Sequence, residues 1–92
     1  MAHKTAAELY QMLDDAKAQV ELEANYYHYK RPKDLYTITD ILIIEATDTV
    51  GICYRAEYPE LKGITFIRPI EDFLAEVEVD GKMLKRFTKV AN

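Results

Sequence analysis

At Asn25 the spacing of apolar residues in this 92-residue chain changes period, and that change dictates a helix followed by a β unit. Before it, Leu9, Leu13, Ala16 and Val20, with Met12 beside them, recur at the spacing that lines side chains along one helix face. Asp14, Asp15, Lys17, Glu21 and Glu23 fall mostly on the opposite side. Thr5-Ala6-Ala7-Glu8 is a capping box, in which the Thr5 hydroxyl accepts from the Glu8 amide and Glu8 reaches back. The spacing therefore predicts a helix over residues 6–24, ended by Asn25 in a left-handed turn. Its apolar stripe has to be buried, against the β unit or against another chain.

Beyond Asn25 the period is that of strands. Tyr26–Lys30 reads as a short aromatic strand closed by the turn Arg31-Pro32-Lys33-Asp34. Leu35–Ala46 is a long β-rich run whose alternation slips near Asp40, the mark of a bulge, and Thr47-Asp48-Thr49 makes the next turn. In Val50–Tyr58, Ile52, Tyr54, Ala56 and Tyr58 share one face, while Cys53, Arg55 and Glu57 share the other. Pro59–Gly63 is a loop, Ile64–Arg68 a strand stopped by Pro69, and Ile70–Leu74 a single helical turn. Val77 and Val79 oppose Glu76 and Glu78, and Asp80-Gly81 is a strong hairpin signal that folds Lys82–Phe87 back. The expected class is mainly β: a small antiparallel β-barrel preceded by one amphipathic N-terminal α-helix. One domain spans residues 1–92, with the helix at 6–24, the β unit at 26–87 and a tail at 88–92. The ends, Met1–Lys4 and Thr88–Asn92, read as disordered.

Four motifs stand in order along the β unit: Tyr27-His28-Tyr29-Lys30, Cys53-Tyr54-Arg55-Ala56-Glu57-Tyr58, Phe66-Ile67-Arg68-Pro69-Ile70 with Phe73, and Val77-Glu78-Val79-Asp80-Gly81-Lys82. Together they resemble the small bacterial family called domain of unknown function 1653, over about Tyr26 to Phe87 and without the N-terminal helix. The resemblance implies an SH3-like small barrel and no established activity. This chain has Arg31-Pro32 where the family usually carries Gly, Phe66 where it often has Trp, and Asp72 where it often has Met. The first of these differences reshapes the loop next to His28.

A chain of this size buries only about 60–65% of its unfolded surface, so stability is modest and every staple counts. Cys53 is the only cysteine, and a lone thiol suits a reducing compartment. Met1-Ala2-His3-Lys4 leads straight into the polar helix with no signal-peptide pattern, and the longest apolar run, Ile41–Ile44, is far too short to span a bilayer. The expected location is cytoplasmic, with no membrane partner.

A net charge of −4 argues against nucleic acid, whose affinity comes from phosphate neutralisation. The charge is uneven, however. Residues 82–92 hold Lys82, Lys85, Arg86 and Lys89 with no acid, and His28, Lys30, Arg31 and Lys33 form a second basic cluster.

Several chemistries are absent from the sequence. It contains no serine nucleophile, and its histidines are His3 and His28 alone. Cys53 and His28 fall short of a zinc ligand set, and the isolated glycines form no phosphate loop, so no cofactor is expected. A Cys53–His28 dyad is a formal arrangement only, because alternation places Cys53 away from Tyr54. Glu76 and Glu78 share a solvent-facing strand face, and the chain reads as a non-enzyme.

What remains is a candidate binding site of His28, Tyr29, Tyr54, Arg55, Arg68 and Phe73. Arginine offers a planar fork for carboxylate or phosphate, tyrosines stack on a flat ring, His28 adds a hydrogen bond and Phe73 a wall. The expected ligand is small, anionic and nucleotide-like. The competing reading pairs Arg55 with Glu57, Glu76 or Glu78 and leaves Arg68 to fix the turn at Pro69. Two other functions compete with it: a protein-interaction module, with two protomers pairing through the helix or a barrel edge, and single-stranded nucleic-acid binding on Tyr26, Tyr27 and Tyr29. Base stacking is worth about 1–3 kcal/mol per base, but the acidic balance ranks that last.

Overall fold

A computed structural model of the chain describes residues 4–91. Helix α1 (Ala6–Lys17) starts at the capping box. The Glu8 amide donates to Thr5 Oγ1 at 3.2 Å, and the Thr5 amide donates to Glu8 Oε1 at 2.9 Å. That second bond, with the Thr5 hydroxyl, holds the Glu8 carboxyl below the usual carboxylate range.

The far end of the helix corrects the sequence reading. The helix stops at Lys17, not Ala24, and the positive φ of 65° belongs to Glu23 rather than Asn25. The cause is tertiary. The Glu23 amide donates to the Ile38 carbonyl at 2.8 Å and the Ile38 amide to the Ala24 carbonyl at 3.1 Å. A helix continued to Ala24 would turn the Glu23 amide inward to the Gln19 carbonyl and forfeit its bond to the sheet. Val20 and Ala24 stay buried nonetheless, because the turn segment lies over the same apolar surface.

Strands β1 (Asn25–His28), β2 (Leu35–Ile44), β3 (Thr49–Ala56), β4 (Thr65–Pro69) and β7 (Phe87–Lys89) form one antiparallel sheet. Its five strands are ordered β4-β3-β2-β1-β7. A short helix α2 (Ile70–Leu74) follows β4, and β5 (Glu76–Val79) pairs with β6 (Lys82–Lys85) as a separate hairpin around Asp80-Gly81. The mainly β class with one N-terminal helix stands. The closed barrel does not: β4 and β7 are the two edges of an open sheet. Side chains close the gap instead of a hydrogen-bond ladder, with Phe73 of α2 stacked on Phe87 of β7 at 4.4 Å between centroids and 7° between planes.

Strand β7 also corrects the reading of residues 88–92 as a tail. Tyr27 faces Thr88 and Tyr26 faces Lys89 across the β1–β7 ladder, and the Val90 amide donates to the Asn25 carbonyl at 2.9 Å. Met1–His3 and Asn92, which the sequence reading also assigned to disordered ends, lie outside the described residues.

The bulge falls where the alternation slipped, between Ile38 and Asp40. Its effect is to bring Ile38, Ile41 and Ile43 opposite Tyr54, Ile52 and Val50, so an odd-and-even set of isoleucines reaches one face. It leaves the Thr39 hydroxyl buried and without a hydrogen-bond partner. The apolar face is covered by Ala16 and Val20 of the N-terminal segment and by Phe73 of α2, and the helix packs on the chain's own sheet with Leu9, Met12 and Leu13 of its stripe half-buried. Among the described residues no helix is long and apolar enough to cross a membrane.

Phe73 is 1% exposed and is the main side chain that α2 contributes to the core. A Phe73→Ala variant is expected to lose about 3–5 kcal/mol of unfolding free energy in urea titrations. Tyr10→Ala, at a position 70% exposed, should change it by less than about 0.5 kcal/mol.

Candidate functional site

Because strand side chains alternate, one face of the sheet is specified by its registers. Tyr54 faces Phe66 across β3 and β4, Ile52 faces Arg68, Tyr26 faces Tyr36 across β1 and β2, and His28 faces Phe87 across β1 and β7. Near the open ends of this face, His28, Tyr36, Tyr54, Phe66, Arg68 and Phe87, with Leu61 from the 3-10 turn Pro59–Leu61, line a cleft of about 300 Å³. The sheet curves enough to bring its two edges together here. The guanidinium of Arg68 on β4 lies 5.6 Å from the ring centroid of Phe87 on β7.

The walls are aromatic and mutually braced. Tyr54 stacks on Phe66 at 5.8 Å, meets Phe87 at 5.2 Å and takes the edge of Tyr36 at 5.2 Å. Tyr36 and Tyr58 join hydroxyls at 2.8 Å, and burial together with that bond pushes the Tyr36 phenol far above its usual range, so it stays neutral.

Two polar groups enter this surface. Arg68 Nε donates to the Tyr54 hydroxyl at 3.3 Å. Among the described residues no carboxylate pairs with Arg68, so its terminal NH₂ groups carry a positive charge without a counterion. His28 Nδ1 accepts from the Lys30 amide at 3.3 Å, which assigns the proton of the neutral ring to Nε2. The ring sits edge-on to Phe87 at 5.1 Å and against Tyr29 at 4.6 Å. Burial first, then the charges of Arg68, Arg86 and Lys30, hold the imidazole below its ordinary pKa, so His28 is neutral at neutral pH.

The structure brings three of the sequence-predicted residues, His28, Tyr54 and Arg68, into this cleft. Phe73 lies one layer behind, stacked on the Phe87 that forms the wall. Tyr29 borders His28 and carries the Lys30 ammonium 5.9 Å from its ring centroid. Arg55 is elsewhere. It projects from the opposite face, where its Nη2 contacts Glu57 Oε2 at 3.0 Å and the Thr37 hydroxyl donates to the same oxygen at 2.6 Å. The Thr37 bond and then Arg55 keep the Glu57 carboxyl below the usual carboxylate range. Tyr54 and Arg55 are neighbours on one strand and cannot share a face, so alternation already separated them. Arg68 likewise engages Tyr54 rather than the turn at Pro69.

Cys53 lies on the Arg55 face, across the sheet from His28, and the two assemble no dyad. Burial, then Asp40, pushes the Cys53 thiol up, away from thiolate chemistry. Among the described residues no cluster of His, Cys, Asp and Glu fits a metal ion.

Tyr36, Phe66, Phe87 and Leu61 are cleft residues that sequence reasoning missed. Phe66 was detectable, since it lies two residues from Arg68 on a strand. Phe87 was not, because its place depends on the distant pairing of β7 with β1.

A family model described as "Protein of unknown function (DUF1653)" matches residues 24–89, which takes in every strand and leaves α1 outside. No curated protein and no solved structure matches the chain.

The depressed pKa of His28 has a consequence for stability. The unfolded chain takes up a proton near the ordinary 6.5 while the folded chain resists it, so this contribution is complete above that value and is lost as pH falls through the folded pKa. Urea titrations at about pH 7 and about pH 5 should show the wild-type chain losing stability over that interval. His28→Gln is expected to lose measurably less, because Glu8 and Glu57 titrate at lower pH. Equal losses in both proteins would contradict the assignment.

Proposed function

The chain belongs to the DUF1653 family of proteins of unknown function, and from its residues we propose that it is a non-enzymatic binding module for a small anionic ligand with a flat apolar body. The observation that carries this reading is Arg68: a half-buried guanidinium facing an aromatic cleft with no carboxylate partner among the described residues. In a protein of net charge −4, the charges that act on His28 beside it are nonetheless all positive. A cation held in such a place is stabilised in part by the Phe87 ring and would gain more from an anion. Of the aromatic walls, Phe66 and Tyr36 are half-buried and offer ring surface for a planar group, while Tyr54 is buried against them.

The non-enzymatic part of the reading rests on the same geometry. His28 spends Nδ1 on a backbone amide, and the single thiol lies across the sheet, so the cleft gathers donors and rings rather than a nucleophile with its base. A buried free thiol also fits a reducing, cytoplasmic setting. Pairing of two protomers through the helix has less in its favour, because Ala16 and Val20 of the stripe are already covered by the sheet.

A thermal-shift panel of aromatic carboxylates, phosphates and sulfonates tests the reading. At ligand concentrations about 100-fold above Kd, binding should stabilise the protein by about 2.7 kcal/mol, visible as a Tm rise of several degrees. Arg68→Ala should abolish that rise, and Arg55→Ala, on the opposite face, should leave it intact. If no anion raises Tm, or if Arg68→Ala responds as the wild type does, the cleft is not an anion site.

A further inference from the structure

The cleft has more donors to offer than a carboxylate can use. Arg68 spends Nε on the Tyr54 hydroxyl, which leaves its two terminal NH₂ groups as an end-on fork. His28 spends Nδ1 on the Lys30 amide, which leaves Nε2–H as a separate donor on a residue that lines the same cleft. A carboxylate has two oxygens, and the fork alone satisfies them. A phosphate monoester has three terminal oxygens, two for the fork and a third for the imidazole. Charge points the same way, because Arg68, Arg86 and Lys30 all act on His28, a field that favours a dianion over a monoanion.

The apolar half of the cleft sets what the phosphoryl group is attached to. Phe66 and Tyr36, both half-buried, are the rings that this face leaves accessible to one planar group, with the buried Tyr54 packed against both. A volume of about 300 Å³ is at the small end of ligand sites, enough for a ring and one phosphoryl group and too little for a dinucleotide.

We infer that the ligand's anionic group is a phosphoryl dianion carried as a monoester on a flat ring, bound by the Arg68 fork and the His28 Nε2–H. This rests on the reading of the cleft as an anion site. Phosphate monoesters and free inorganic phosphate share the head-group chemistry, and only the ring contacts separate them.

The probes are phenyl phosphate, benzoate and inorganic phosphate, titrated calorimetrically into the full chain at about pH 8, where the phosphate second ionisation (pKa about 6) is complete. Phenyl phosphate is expected to bind about tenfold or more tighter than either benzoate or inorganic phosphate. Arg68→Lys, which keeps the charge but loses the fork, should weaken phenyl phosphate about tenfold. His28→Leu should narrow the gap between phenyl phosphate and benzoate, because benzoate does not use the imidazole donor, while His28→Gln should preserve part of it. Benzoate binding as tightly as phenyl phosphate, with both dependent on Arg68, overturns the phosphoryl assignment and leaves the anion cleft standing. Inorganic phosphate binding as tightly as phenyl phosphate overturns the ring. Absence of binding by all three probes removes the cleft as an anion site. The wild-type series decides between these outcomes even where a variant fails to fold.

Discussion

The parallel stack of Phe73 on Phe87 is the contact on which the rest of this molecule depends. An open sheet leaves two edge ladders and a slot between them, and here α2, arriving from one edge strand, fills that slot with a ring that lies flat on the other edge strand. Strand β7 is only Phe87–Lys89, too short to be held by backbone bonds to β1 alone. Its register is set because Phe87 is buried between Phe73, Tyr54 and His28. The same buried ring lies beneath Arg68, whose guanidinium is 5.6 Å from its centroid. Core packing and cleft geometry are thus two sides of one side chain, and a change that loosens the stack also moves the cleft wall.

The two arginines that sequence chemistry singled out show how differently the same side chain can be used. Arg55 lies in a half-buried group with Glu57 and Thr37, bordered by the exposed Lys62, where solvent still screens the charges and such pairs contribute about 0–1 kcal/mol. Arg68 lies among rings, with its charge met by a hydroxyl and a ring quadrupole and by no carboxylate among the described residues. Partial burial of a cation costs free energy wherever no opposite charge offsets it. The fold offsets that cost with a carboxylate at Arg55, and at Arg68, among the described residues, with a hydroxyl and a ring.

What could be read from the sequence divides along the range of the interaction. Local signals carried through: Thr5 and Glu8 start the helix, the slip near Asp40 is a bulge, Asp80-Gly81 turns the hairpin, and Ile70–Leu74 is one helical turn. Features set by partners distant in sequence did not. The helix does not reach Ala24 because Glu23 and Ala24 bond to Ile38, and the barrel stays open because β4 and β7 do not pair. The candidate site is an intermediate case. Alternation placed Tyr54 correctly relative to Arg55, yet chemical similarity grouped the two, and only the face assignment sorts Arg68 into the cleft and Arg55 out of it.

The loop after β1 shows how a local departure from the family pattern serves the distant geometry. Where the family resemblance led one to expect glycine, Arg31 accepts a structural duty no glycine could. Its Nε contacts Asp34 at 2.6 Å, its Nη2 lies 3.6 Å from Glu60, and its guanidinium sits 5.4 Å from the Tyr58 ring centroid. Its amide donates to the His28 carbonyl at 3.0 Å. One side chain thereby ties the segment that follows His28 to the 3-10 turn that supplies Leu61, and both of those residues line the cleft. The Arg31 side chain is 56% exposed, so each ion pair is individually weak, but both act on the two short loops that border the cleft. The rim of the cleft is therefore tied together through the side chain of Arg31.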